Sequence, residues 1–289
     1  MNRYIALQNI VELGSFSKAA EKMGYSQSAL SQMLSSLETE LGLKLLHRNR
    51  TGAKLTYEGK ELFPFVEQLI YQYEALQEKN NEIKGLDTGV IRMGTISSVS
   101  VHWLPSVLKE FQEQHPGIQF ILHQGDYTSI QEWIKTGAID FGFVTAEAVT
   151  GIETFELKKG AMMAILPKGH PLAQYDVIPL QQLETEPFIL LEEGHYSEPL
   201  EIFQAEKIQP QIKYTLHDDY SIMTMVEAGL GISILPELVL HRNNYDLEIR
   251  PTDPPIYRSI AVGYKGNGSL SMASRRFLKL LKERVPDLP

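Results

Sequence analysis

Three features of the 289-residue sequence predict an α/β protein in which a small all-α domain leads, through a long helix, into a larger pair of α/β lobes. Within the first sixty residues, apolar positions recur at helical spacing between glycines. Residues 62–83 carry an apolar heptad. Beyond residue 89, short apolar runs alternate with amphipathic stretches.

Tyr4, Leu7, Ile10, Val11 and Leu13 fall on one helical face and Gly14 stops the run, giving a first helix over 4–13. Ser17 is placed to cap a second, short helix over 18–23, whose Ala19 and Ala20 admit another helix closely before Gly24 ends it. Ser26 caps a third. Its Leu30, Met33, Leu34, Leu37 and Leu41 share an arc of roughly 100° on a wheel that turns about 100° per residue, and Gly42 suits the position just past its end.

On the opposite face Gln27, Ser28, Ser31, Gln32 and Ser35 lie together, all able to donate and accept hydrogen bonds and none charged. A merely solvated helix usually carries Lys and Glu there. Amides and hydroxyls suit base edges in a major groove, where Gln pairs with adenine N6 and N7. Lys44, His47, Arg48, Arg50 and Lys54 follow in a stretch without an acid, and Arg50-Thr51-Gly52 reads as a hairpin tip. Three helices and a basic hairpin make a winged helix-turn-helix, in which the third helix reads bases and phosphate contacts set position. Residues 1–60 hold eight basic side chains against five acidic ones, within a chain of net charge −9. Only this segment suits a polyanionic partner.

Phe16-x-x-Ala19-Ala20, then Ser26-Gln27-x-Ala29-x-Ser31-x-x-Leu34-x-x-Leu37-Glu38-x-x-Leu41-Gly42-x-x-Leu45-x-x-Arg48, then Leu55-Thr56-x-x-Gly59, closely resemble the amino-terminal domain of LysR-type transcriptional regulators. Ser28, Gln32 and Leu46 depart from the commoner pattern of proline, arginine and phenylalanine. The resemblance implies a winged domain over 1–58, a linker over 59–88 and an effector domain over 89–289. Double-stranded DNA is then the partner of Ser17, Ser26, Gln27, Ser28, Ser31, Gln32, Ser35, Arg48, Arg50 and Lys54. It also implies work with RNA polymerase, and activation of a divergently oriented gene, often with repression of the regulator's own.

In the linker, Leu62, Val66, Leu69, Tyr73, Leu76, Asn80 and Ile83 are spaced as a heptad seam with one polar break. Leu62, Val66, Leu69, Tyr73 and Leu76 are therefore the candidate dimerisation residues, the alternative being a helix that packs on its own domain. Pro64 predicts a kink or a late start. Since the family's linker helix pairs two chains, a homodimer or homotetramer on a palindromic site is expected.

Runs at 90–96, 101–114, 118–123, 129–136 and 139–144 read as βαβαβ, and a similar alternation continues at 161–167, 188–191, 197–207, 212–217, 221–228 and 231–235. Ile139-Asp140-Phe141-Gly142 and Val226-x-Ala228-Gly229-Leu230-Gly231-Ile232-x-Ile234-Leu235-Pro236 extend the family resemblance. It implies a two-lobed, periplasmic-binding-protein-like fold, with one lobe from 89–163 and 264–289 and the other from 164–263. Ligands of open α/β sheets sit beyond the carboxyl ends of strands. Ser97, Ser98, Ser100, Thr128, Thr145, His195 and Tyr196 occupy such turns and are the candidate effector-binding residues, and the effector expected is small and anionic. Any one serine there is most simply a helix cap, and Asp126 would repel an anion if it pointed inward.

An enzyme is the rival from another class, since Ser97 or Ser98 with His102 imitates part of a hydrolase triad. No Gly-x-Ser-x-Gly, Gly-x-x-x-x-Gly-Lys-Ser/Thr, Gly-x-Gly-x-x-Gly or His-Glu-x-x-His supports it. No histidine pair has the i, i+4 spacing of a helical metal site, and no cofactor is expected. Without cysteine, disulfides and thiolate chemistry are excluded. A solute-binding protein without DNA-dependent regulation is the second rival, opposed by the basic helix-turn-helix. The first sixteen residues lack a secretory layout, and no apolar run approaches the roughly 20 residues of a membrane span, so a cytoplasmic protein without membrane contact is expected.

Overall fold

Serine and glycine punctuation sets out the first helices of the structure, a computed structural model that describes residues 1–49, 52–83, 88–241, 244–266 and 268–289. They are α1 (Asn2–Leu13), α2 (Phe16–Met23) and α3 (Gln27–Leu41), followed by a hairpin of β1 (Leu46–Asn49) and β2 (Gly52–Leu55) and by α4 (Tyr57–Ile83). Gly42 takes φ +68 after α3, a left-handed turn that costs other residues strain, and its N–H satisfies the carbonyls of Glu38 and Thr39. The cap of α2 is Ser15, not Ser17: its hydroxyl accepts from the Lys18 N–H, so Phe16 enters the helix and is buried. Ser17 is left exposed in the first turn.

Two compact units make up the chain, one built on Met1–Gly85 and the other on Leu86–Lys135 and Ile139–Pro289. The core of the first gathers Leu7, Ile10, Ala19, Leu30, Leu34 and Leu37 from α1 to α3 with Val66 and Ile70 of α4. Fully burying each such leucine stabilises by about 1.5–3 kcal/mol. Glu38, quoted above only as a motif letter, is also buried, because its carboxylate accepts from the N–H groups of Leu45 (2.9 Å) and Leu46 (3.4 Å) and from Lys44 Nζ (2.6 Å). That carboxylate ties the wing to the back of α3. Helix α4 begins at Tyr57, where the Thr56 hydroxyl accepts from the Gly59 N–H, and it continues through Pro64. A late start after the proline is thus not what forms, since the cap lies two turns upstream.

In the second unit the chain runs β3 (Gly89–Thr95), α5 (Ser97–His102), α6 (Leu104–Gln114), β4 (Ile118–Gln124), α7 (Tyr127–Thr136) and β5 (Phe141–Val144). The long β6 (Glu153–Pro167) leads to β7 (Ile178–Pro179), β8 (Pro187–Leu191), α8 (Glu198–Ala205), β9 (Gln211–Leu216), α9 (Asp219–Glu227), β10 (Ser233–Pro236) and α10 (Glu237–Leu240). Then come β11 (Leu247–Arg250), β12 (Thr252–Asp253), β13 (Ile256–Tyr264) and α11 (Met272–Arg284). One seven-stranded sheet has the order β10-β6-β13-β5-β3-β4, with β11 also on β6, while β8–β9 and β7–β12 form parallel pairs.

Strands β6 and β13 run antiparallel from Glu153–Tyr264 to Met162–Ile256 and serve two lobes. Phe155, Leu157, Ile260 and Val262 pack in the core around Phe141, Phe143 and Phe277, whereas Met162, Ala164 and Ile256 pack in the core around Phe188 and Phe203. The chain therefore changes lobe within paired strands, near 158–161 and 257–259. A further core on the second lobe's other side holds Ile189, Ile222 and Leu235. Among the described residues no helix is long and apolar enough to cross a membrane.

Candidate functional site

The outer face of α3 is built by its inner one. With Leu30, Leu34 and Leu37 held in the core, Gln27, Ser28, Gln32 and Ser35 are exposed and Ser31 is half-buried. Ser26 is committed to capping, since its oxygen accepts from the Ala29 N–H at 3.2 Å and lies 2.9 Å from the Ser28 hydroxyl. Lys54 is exposed on the wing, opposite His47. Arg50 and the side chain of Arg48 lie outside the described residues. Arg3 is already engaged, donating to Ser36 and meeting Glu40 at 2.6 Å.

The heptad of α4 divides between two environments. Val66 is 5% exposed in the unit's own core and Leu62 packs against it, so Val66 is not available as a free seam residue. The helix crosses its own domain there, which the heptad alone does not distinguish from a partner. Leu69, Tyr73 and Leu76 are exposed, as are Phe65 and Ile83.

In the second unit, the candidate effector residues converge on a buried ionic cluster between the lobes. Arg258 of β13, 3% exposed, donates from Nη2 to the Ser98 hydroxyl at 2.7 Å and meets Glu193 at 3.6 Å from Nη1. Thr145 at the end of β5 donates to Glu198 Oε1 at 3.0 Å, with the Ser259 carbonyl also in reach. The Tyr127 hydroxyl donates to the same Glu198 oxygen at 3.3 Å. Asp219 opens α9, where Ser97 favours its ionised form, and the Ser97 oxygen accepts from Gln124 at 3.1 Å. At the rim, the His195 N–H donates to the Thr128 hydroxyl at 3.1 Å, and Tyr196 packs against the first lobe's core. Ser100 bonds Thr95 instead. Asp126 turns its carboxylate to the N–H and hydroxyl of Ser129, which caps α7.

Glu193, Glu198, Asp219 and Arg258 belong to no motif. The signals available were an arginine inside an otherwise apolar run, Ile256–Tyr264, and acids in the first turns of α8 and α9, which also suit the helix dipole. Burial pushes the Glu193 carboxyl up to about 8, against the attraction of Arg258 and with the repulsion of Glu198 and Asp219. Burial likewise raises Glu198 and Asp219, with Arg258 opposing it in both. Tyr196 is pushed up to about 12 by burial and then by Glu198. Three acids therefore stand beside one guanidinium, a feature that the turn residues did not signal. Among the described residues no group of three His, Asp or Glu side chains is arranged to hold a metal ion.

Family models cover almost the whole chain. Residues 1–60 match the bacterial regulatory helix-turn-helix protein, lysR family, and residues 84–286 match the LysR substrate binding domain. The uncharacterized HTH-type transcriptional regulator YvbU of Bacillus subtilis (strain 168) is 30% identical over 277 residues, covering 95% of this chain and 94% of its own. The solved full-length CbnR complexed with its target DNA matches with a TM-score of 0.70 at 19% identity, over 97% of each chain. The effector-binding domain of QuiR in complex with shikimate matches at 0.63 and 26% identity, over 69% of this chain and 98% of that one. A wing and polar-faced helix in one unit and a two-lobed sheet in the other, each matched by its own family model, make this chain a member of the LysR family of DNA-binding transcriptional regulators with an effector-binding domain.

Proposed function

We propose that the chain reads a palindromic operator with α3 in the major groove and the wing on the phosphates, paired with a second copy along α4, and that an effector held between the lobes alters this binding. The observation that carries the reading is the exposed, uncharged row Gln27, Ser28, Ser31, Gln32 and Ser35 above buried Leu30, Leu34 and Leu37. A face with no charge has little nonspecific hold on DNA, so its contribution is selectivity. Phosphate contacts fall to Lys54, Arg48 and Arg50, with Ser17 and Ser26 at the helix starts.

Domain limits of 1–58, 59–88 and 89–289 go with this reading, as do a dimer or tetramer, contact with RNA polymerase and a cytoplasmic location. We read the chain as a regulator and not an enzyme, on the support of its regulator relatives. Solved relatives holding target DNA and shikimate support the pairing of DNA with a small molecule. An effector acts by binding one lobe arrangement better than another, which shifts how paired winged domains meet the duplex.

Footprinting on the chain's own upstream region tests the division of labour. Gln27→Ala is expected to cost about 1–3 kcal/mol of discrimination between operator and scrambled duplex. Lys54→Ala weakens both equally and lowers the salt slope by about 1. Equal losses on both duplexes from Gln27→Ala would overturn the role of α3.

A further inference from the structure

We infer that the site between the lobes takes a small organic cation, a molecule bearing an ammonium or guanidinium group, held by the carboxylates of Glu198 and Asp219. The inference rests on the effector-responsive reading above and names the chemical class of that effector.

The site has acceptors to spare and too few donors. Glu198 is 4% exposed; its Oε1 receives Tyr127 and Thr145, while its Oε2 is buried without a hydrogen-bond partner. Asp219, also 4% exposed, leaves Oδ1 buried and unpartnered. The guanidinium of Arg258 is directed to Ser98 and Glu193, so it serves neither orphan oxygen. Buried acceptors left unpaired are unfavourable, and more so when charged. Protonation does not cure this, for it replaces an orphan acceptor with an orphan donor.

An incoming anion brings only further acceptors to carboxyl oxygens that already lack donors. An ammonium brings three donors and a guanidinium five, each with the charge the cluster lacks. A bare metal ion is disfavoured, since among the described residues no group of three acid or histidine side chains is arranged to hold one. Glu198 and Asp219 come from the second lobe, whereas Tyr127 and Thr145 come from the first. A cation that draws Glu198 away therefore competes with hydrogen bonds that join the lobes, which gives it the differential affinity a regulator needs.

Calorimetric titration of the full-length protein with putrescine, agmatine and arginine, beside succinate and benzoate, tests this. At least one of the three amines is expected to bind at millimolar concentration or below while the two acids are silent. Glu198→Gln and Asp219→Asn should each weaken the amine by about tenfold or more, the factor of one charge-assisted hydrogen bond. Glu192→Gln, which alters an exposed neighbour paired with His217, should leave it unchanged. Binding of the acids with silence from every amine overturns the inference, as does silence from the whole panel on unmutated protein. Footprinting of the same ligand-free preparations separates the two claims. Absent operator selectivity defeats the regulator reading, whereas retained selectivity with no amine binding defeats only the cation.

Discussion

Glu193 shows how one side chain makes the second unit sensitive to pH. Its carboxyl rises from the ordinary 4.5 to about 8 because burial disfavours the anion more than Arg258 favours it. Between those values the folded state holds a proton that the unfolded state has released, so the stabilisation is complete below about 4.5 and is lost as pH climbs through about 8. Thermal melts between about pH 5 and about pH 8 should therefore show the melting temperature falling, and Glu193→Gln should flatten that fall. A Gln variant with the same pH profile as the unmutated protein would exclude Glu193 as the source. Glu38 shifts the other way. Burial raises its pKa, but Lys44 and the N–H groups of Leu45 and Leu46 together bring it below the ordinary value.

Helix α4 has one face covered by its own unit and another left exposed. Val66 and Ile70 are covered by their own unit, and Leu69, Tyr73 and Leu76 are not. Leu69→Lys puts a charge into the exposed stripe and should shift sedimentation toward the single-chain mass; an unchanged mass would remove this stripe from the dimer contact. Elements with strong local signals were legible before the structure: Gly14, Gly24 and Gly42 end three helices at the expected places. Strand β13 was not, since its identity comes from pairing with β6 and β5 across the chain, and α11 lies beyond the last alternation read. Around the buried ionic cluster, turn chemistry singled out Ser97, Ser98, Thr128, Thr145 and His195, which lie in it or at its rim. The opposing carboxylates stayed hidden because an acid opening a helix looks the same whether it faces solvent or a buried arginine.

Across the effector-binding portion, the lobes meet through a chain of small contacts. One is at Gly194, whose φ of +90 and lack of a side chain let the 192–196 loop lie against α7, where an added Cβ would stand 2.3 Å from the Thr128 hydroxyl. Gly194→Ala should separate that contact and speed amide hydrogen exchange across 192–196, while α9 and β10 exchange as before. Unaltered exchange in the loop would show that the lobes are held elsewhere.

Arg258 stands opposite Gly160 on the ribbon of two strands that both lobes share, just short of the bulge at Ile260 and Ala261. Charge placed on that shared ribbon belongs to neither lobe alone, so each carboxylate it attracts is tethered to the strands that join the two.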